Sequence, residues 1–281
     1  MGPRPARRSR PVSFGRSVTG FVRYWGAGPR AVLALHCSLA HSGAWEGVAR
    51  ALGPGLHLTA PDILGHGKAP GIDPARDLHD QCYEAILPHL PEGHCDVIGH
   101  SFGATLALRL AEQRPDRIRS LTLIEPVLFA AAKSSGVFSA HLSEMADYAA
   151  AEARADRAAT ARAFLSVWGN GRAFEDLPAA QQTYATERIH LIKAAEPALF
   201  EDSAGLVPRL REVAAPTLLV EGGESPGIIH AILDRMARDI PDTTRLCVPG
   251  AGHMVPITHP GPVAKAIRAL FDRSAYGARS V

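Results

Sequence analysis

The pentapeptide Gly99-His100-Ser101-Phe102-Gly103 constrains the fold most, because it joins a strand pattern directly to a helix pattern. The apolar run 95–98 precedes it, and an Ala- and Leu-rich helix pattern follows over 102–113 and ends before Pro115. A Gly-x-Ser-x-Gly turn between a strand and a helix forces the serine into a strained conformation that exposes its hydroxyl group. Glycine on either side lets neighbouring chain approach closely. We therefore predict that Ser101 is a nucleophile at a strand-to-helix turn.

The rest of the chain alternates short apolar runs with helix patterns, which indicates an α/β fold with a mostly parallel central sheet flanked by helices. From about 128 to 206 only Ala-, Glu- and Arg-rich helix patterns occur, and they predict an all-helical insertion. We expect a basic disordered arm over 1–11, a core over 12–127 and 208–281, and a helical cap insertion over 128–207. The other predicted strands are 12–24 (a strand or a hairpin), 31–35, 56–60, 121–124, 217–220 and 245–248.

Charge and hydropathy exclude several classes of partner. The net charge of the 281-residue chain is +2, so no overall field favours a polyanion, and we expect no nucleic acid partner. No run approaches the roughly 18 apolar residues of a membrane span, and no signal-peptide core follows the basic arm. We expect a soluble cytoplasmic protein and leave a homodimer open. The four cysteines are far apart and no phosphate-loop, HExxH or EF-hand pattern occurs, so we expect no cofactor, no metal and no structural disulfide.

Four further motifs accompany the pentapeptide. They are Leu35-His36 with Trp45 downstream, Asp62 with Gly65-His66-Gly67, Pro216-Thr217 before a strand, and Gly252-His253. Together these motifs resemble the α/β-hydrolase superfamily, in its branch of cap-bearing serine hydrolases and esterases, over about residues 12–271. The resemblance implies the α/β-hydrolase fold and a catalytic triad in the chain order serine, acid, histidine.

His253 is the predicted general base. It lies in the Gly-rich loop 250–254 after the last predicted strand, where little side-chain bulk surrounds the imidazole. His259 lies a few residues further on, at the start of a helix pattern, and is the alternative.

The resemblance also implies an oxyanion hole made by the backbone N–H groups of Phe102 and Ser38. Family members usually have His-Gly where this chain has His36-Cys37, and this departure leaves Leu39 open as the second donor. We interpret Cys37 as a small buried side chain in preference to a catalytic thiol.

The acid is also assigned through the resemblance. The family usually carries an Asp at the position of Ser225, which we interpret here as the N-cap of the next helix. Some relatives place the acid one strand earlier, and that position is Glu125 in this chain. Pro126 should hold Glu125 in an extended conformation that aims its side chain. Glu224, Glu221 and a Ser–His pair without an acid are the alternatives.

These residues predict a serine hydrolase that cleaves a small to medium carboxylic ester or lactone, a small-molecule substrate, through an acyl-enzyme on Ser101. A C–C bond hydrolase or thioesterase with the same triad is the first alternative. A ligand-sensing protein with slow turnover is the second. The residues expected to line the substrate pocket are His36, Leu39, His100, Phe129, Phe164 and Trp168.

Overall fold

A computed structural model describes residues 20–169 and 171–277 of the protein. Within these residues one sheet is formed by seven strands: β1 (Val22–Trp25), β2 (Arg30–Leu35), β3 (Leu56–Pro61), β4 (Cys95–His100), β5 (Ile118–Ile124), β6 (Thr217–Gly222) and β7 (Thr243–Val248). Their order in the sheet is β1-β3-β2-β4-β5-β6-β7. Only β1 pairs antiparallel with its neighbour among these described strands, and the other pairs are parallel. The parallel strands therefore end at one common edge, where ligands bind in folds of this class.

Helices cover both faces of the sheet, which confirms the predicted α/β architecture. Within the described ranges they are α1 (Glu46–Leu52), α2 (Leu78–Ile86), α3 (Phe102–Gln113), α4 (Val137–Glu144), α5 (Ala146–Ala153), α6 (Arg157–Trp168), α7 (Ala179–Arg188), α8 (His190–Phe200), α9 (Gly227–Asp239), α10 (Val255–Thr258) and α11 (Pro260–Gly277).

The apolar core forms two layers because successive side chains of a strand face opposite sides of the sheet. In β2, Leu33 and Leu35 belong to a buried cluster with side chains of α2, α3 and α9. Val32 and Ala34 belong to a second cluster with side chains of α1 and α11. Strands buried on both faces are typical of parallel sheets, and the inner strands β2, β5 and β6 are accordingly rich in Val, Ile and Leu.

Helices α4 to α8, here called the helical segment, lie in the chain between β5 and β6. In α8, Leu191 packs over the loop that follows β3, since a Cβ atom on Gly65 would lie 2.9 Å from its methyl groups. This packing brings the helical segment to the carboxyl edge of the sheet. The boundaries of the cap at 128–207, and of the two parts of the core, stay predictions.

The structure tests the other sequence predictions only in part. The basic arm 1–11 lies outside the described residues, and so does most of the predicted first strand, of which Val22–Trp25 is seen. The thiols of Cys37, Cys82, Cys95 and Cys247 are free. None of the helices in the described part of the chain combines the length and the apolar character that a membrane crossing requires.

Candidate active site

Ser101 lies at the sharp turn between β4 and α3, as predicted. Its backbone has φ 55° and ψ −119°, a strained conformation for a residue with a Cβ atom. Its N–H group donates to the carbonyl oxygen of Ile124 on the neighbouring strand at 2.9 Å. A Cβ atom on Gly99 would overlap the backbone of residues 103 and 104, and one on Gly103 would overlap the carbonyl oxygens of residues 35 and 36. The two glycines are therefore required for the close contacts that hold this turn.

His253 lies in the loop between β7 and α10 and connects Ser101 to Glu125. Its Nε2 atom is 3.0 Å from Ser101 Oγ, and its Nδ1 atom is 2.9 Å from Glu125 Oε2. An ionised carboxylate only accepts hydrogen bonds, so Nδ1 carries the proton and Nε2 is left to accept the serine hydroxyl. Ser101, His253 and Glu125 are 7%, 5% and 0% exposed, so this chain of hydrogen bonds is shielded from water.

Glu125 is held by three donors at the end of β5. Its Oε1 atom accepts the N–H of Gly222 at 2.6 Å and the hydroxyl of Ser225 at 2.7 Å, while Oε2 faces His253. Its backbone was expected to be extended before Pro126, but φ is +51°. The side-chain bonds, together with the Glu125 N–H bond to the Val220 carbonyl at 2.8 Å, outweigh the local preference.

Ser225 is a site residue that sequence reasoning misassigned. The N-cap position of α9 is Pro226, which makes no side-chain capping bond among the described residues, and the Ser225 hydroxyl donates to Glu125 instead. The sequence contains a signal for this role, because Ser225 occupies the position where the family usually carries its acid. If Glu125 takes the place of that acid, a polar residue at the usual position must lie beside Glu125.

The alternative acids and base lie elsewhere. Glu221 in β6 bonds to Arg245 of β7 at 2.8 Å and lies 3.3 Å from His230 of α9. Glu224 is exposed to solvent. His259 Nδ1 lies 2.9 Å from the hydroxyl of its neighbour Thr258. The structure therefore brings Glu125, and none of these three, to the nucleophile.

The predicted oxyanion donors lie on two elements that meet beside Ser101. Phe102 is the first residue of α3, where backbone N–H groups have no partner inside the helix. Ser38 and Leu39 form the turn after β2, and Leu39 has φ +56°. Burial raises the pKa of the Cys37 thiol to about 12, so Cys37 stays a neutral thiol in this turn.

His36 and His100 are not among the residues that line the cavity beside Ser101, which corrects the sequence prediction. His36 Nδ1 donates to the Cys37 carbonyl at 2.8 Å and Nε2 accepts the N–H of Ile63 at 2.9 Å. His100 Nε2 donates to the His253 carbonyl at 2.9 Å. Burial lowers the pKa of His36 to about 4 and that of His100 to about 3, so both rings are neutral at physiological pH. They hold the two loops of the site in place.

A cavity of about 720 Å³ opens above Ser101 and His253. Trp168 of α6 lies edge-on against the His253 ring, with ring centres 4.7 Å apart. Phe129 contacts Trp168 in turn, with ring centres 5.8 Å apart. The predicted pocket residues that do line the cavity are Leu39, Phe129, Phe164 and Trp168. The walls above the nucleophile are therefore mainly apolar and come largely from the helical segment.

A sequence model of a family described as the alpha/beta hydrolase fold matches residues 30–260, most of the chain. The chain belongs to the α/β-hydrolase family. This match confirms the resemblance to the α/β-hydrolase superfamily that the short motifs indicate.

The relatives of this chain include a lipase, an esterase and other hydrolases. Lipase LipV of Mycobacterium tuberculosis is 36% identical over 138 residues, 48% of this chain and 52% of that protein, so the match spans about half its length. Pimeloyl-acyl-carrier-protein methyl ester esterase of Nitrosomonas europaea is 28% identical over 253 residues, 87% of this chain and 96% of that protein. The crystal structure of E-2-(acetamidomethylene)succinate hydrolase aligns with a TM-score of 0.65 and 25% identity, covering 90% of this chain and 95% of that one. The chain is thus a hydrolase by family.

No group of three or more His, Cys, Asp or Glu side chains within the described ranges is arranged to hold a metal ion. Ser101, His253 and the turn at Ser38 are among the residues that contribute polar groups to the lining of the cavity. This set is suited to transfer of an acyl group through a covalent serine intermediate.

Proposed function

We propose that this α/β hydrolase is a serine esterase that cleaves medium-sized, mainly apolar carboxylic esters or lactones. The observation that carries the proposal is the buried hydrogen-bonded chain from Ser101 through His253 to Glu125. A nucleophile within hydrogen-bond reach of a base, with the base oriented by an acid, is the arrangement that activates a serine hydroxyl.

In the first half of the reaction, Ser101 Oγ attacks the acyl carbon while His253 Nε2 takes the hydroxyl proton. The carbonyl oxygen becomes an oxyanion, which the N–H groups of Phe102 and Ser38 stabilise. The tetrahedral intermediate then collapses, the bond from the acyl carbon to the alkoxy oxygen breaks, and His253 gives its proton to the departing alcohol. Glu125 keeps the imidazole oriented and stabilises its charged form.

In the second half, water enters where the alcohol left. His253 takes a proton from the water as its oxygen attacks the acyl carbon. The second tetrahedral intermediate collapses, Ser101 Oγ leaves the acyl carbon and recovers its proton from His253, and the carboxylic acid is released. Trp168, packed against the His253 ring, shields the base from bulk solvent.

The cavity supports the choice of substrate size. Its volume of about 720 Å³ lies within the range of about 300–1,000 Å³ for sites that enclose drug-sized ligands. Leu142 and Ile257 also line it and are 49% and 42% exposed, so its mouth is apolar as well. We propose that the helical segment acts as a cap over the nucleophile and selects apolar acyl or alkoxy groups.

The comparisons support the ester bond as the target, since one relative is a methyl ester esterase that aligns over 96% of its length. The likeness to E-2-(acetamidomethylene)succinate hydrolase makes non-ester substrates the relevant alternative. Initial rates on nitrophenyl esters from acetate to palmitate, together with lactones, acyl-CoA thioesters and vinylogous diketones, separate these options. We expect the highest kcat/KM for esters of intermediate chain length, and no turnover by Ser101→Ala. Thioesters or diketones that react much faster than every ester would overturn the ester assignment.

A further inference from the structure

The turn that carries Ser38 and Leu39, here called the oxyanion loop (residues 37–40), is held from the sheet side at both ends. At one end the ring of His36 donates to the Cys37 carbonyl at 2.8 Å and accepts the N–H of Ile63 at 2.9 Å. Beyond the other end, the carboxylate of Asp62 accepts the N–H of Ser42 at 2.7 Å. Both anchors tie the oxyanion loop to the segment that follows β3.

A third anchor comes from the helical segment. The hydroxyl of Tyr184 in α7 donates to the carbonyl oxygen of Ala40 at 2.8 Å. The phenol oxygen of Tyr184 also accepts the N–H of Gly67, in the loop after β3, at 2.7 Å. The guanidinium group of Arg188, one turn further along α7, lies 4.0 Å from the centre of the Tyr184 ring. One phenol oxygen therefore joins the helical segment to the oxyanion loop and to the loop after β3.

The oxyanion loop needs such an anchor because its backbone is in a strained conformation. Leu39 has φ +56°, a left-handed conformation that a residue with a Cβ atom adopts at a cost in free energy. The bond from Tyr184 reaches Ala40, the next residue, on the side of Leu39 opposite to Ser38. Without that bond, the peptide groups of Ser38 and Leu39 are free to relax away from the position that an oxyanion donor must occupy.

We propose that Tyr184 is a positioning residue for the oxyanion hole, so that the second N–H donor reaches its place only while the helical segment is docked on the core. This inference rests on the proposed acyl-transfer function. The Tyr184 hydroxyl is engaged with backbone groups of the core, and it acts through the loop on the developing oxyanion. Its loss should therefore lower kcat and leave KM nearly unchanged, as expected for an interaction made in the transition state.

A buried tyrosine outside the cavity lining offers a matched control. Tyr83 in α2 is buried, and its hydroxyl has no hydrogen-bond partner among the described residues. Tyr83 is not among the residues that line the cavity. Tyr184→Phe and Tyr83→Phe thus delete the same atom, and only the first deletion breaks a bond to the oxyanion loop.

The test measures kcat, KM and the rate at which an active-serine phosphonate labels Ser101 in the wild type and both variants. For Tyr184→Phe we expect kcat and the labelling rate to fall together by about 10- to 100-fold, below the roughly 10²–10³-fold cost of deleting an oxyanion donor outright. Tyr83→Phe should match the wild type. Thermal unfolding of each variant identifies a loss that comes from misfolding.

Two results would overturn the inference. The first is an unchanged kcat in folded Tyr184→Phe, and the second is an equal loss in Tyr83→Phe. Failure of the proposed function has a different signature, because the phosphonate would then leave Ser101 unlabelled in the wild type as well.

Discussion

Glu125→Gln should nearly abolish turnover, because the surrounding donors fix which way the new amide lies. The carboxylate oxygen Oε1 accepts two donors, the N–H of Gly222 at 2.6 Å and the hydroxyl of Ser225 at 2.7 Å. The backbone N–H of Gly222 cannot turn into an acceptor, so the amide oxygen must take the Oε1 position. The amide NH₂ group then faces His253 Nδ1, where Oε2 now lies 2.9 Å away.

An amide that donates to Nδ1 forces the imidazole proton onto Nε2. The ring then presents an N–H to Ser101 Oγ and has lost its capacity as a base. Turning the amide over would place NH₂ against the Gly222 N–H and leave a buried donor unpaired, at about 1–3 kcal/mol. We therefore expect kcat to fall by about 10⁴-fold, the size of effect known for a wrong tautomer in a serine triad. This corresponds to about 5 kcal/mol of transition-state stabilisation.

The assay is steady-state hydrolysis of the best nitrophenyl ester, with Glu224→Gln as the control. Glu224 is an exposed carboxylate in the same loop as Ser225, and its amide variant should stay within about twofold of the wild type. If Glu125→Gln retained more than a tenth of the wild-type kcat, or if Glu224→Gln were the damaging change, Glu125 would not be the triad acid.

Three further changes have defined outcomes. Ser225→Ala removes one hydrogen bond to Glu125 and should lower kcat/KM by roughly tenfold, while Ser225→Thr should retain most of it; equal losses in both variants would contradict this role. Gly103→Ala places a Cβ atom against backbone and should lower the free energy of unfolding, measured in urea, by about 3 kcal/mol. Gly71→Ala, whose Cβ atom would meet open space, should leave this free energy unchanged. Coincident unfolding curves for the two variants would refute the prediction. Burial raises the pKa of Glu112 from 4.5 to about 8. Between these pH values the folded state therefore binds more protons than the unfolded state. The free energy of unfolding consequently falls as the pH rises from 4.5 to 8. Glu112→Gln should remove this fall in melting temperature, and an unchanged pH dependence would show that the carboxyl group does not cause it.

The turn at Ser101 could be predicted from the sequence because its requirements are local. The strand, the two glycines and the helix are contiguous, and each contact that excludes a Cβ atom follows from the sharpness of the turn. His253 was found for a similar reason, as an imidazole in a Gly-rich loop after the last strand. The alternation of strands and helices likewise gave the sheet architecture.

The partners of the site were harder to predict because they are distant in the chain. His253 and Glu125 are 128 positions apart, so the choice of Glu125 depended on resemblance. Ser225 and Glu125 are 100 positions apart, and Tyr184 and Ala40 are 144 apart. A hydroxyl group can form hydrogen bonds with many kinds of group, and the tertiary packing alone determines which of them lies beside it. His36 and His100 were placed in the pocket because they adjoin its motifs, but their rings face buried backbone groups instead.

The central claim is that Ser101 is a nucleophile activated by His253, whose Nε2 lies 3.0 Å from its hydroxyl oxygen. The most direct measurement is the reaction of the purified protein with an active-serine phosphonate, with the adduct located by mass spectrometry of peptides. We predict one stoichiometric adduct on Ser101, loss of esterase activity in step with labelling, and no adduct in Ser101→Ala. An adduct on another residue, or labelling and turnover that survive in Ser101→Ala, would contradict the account.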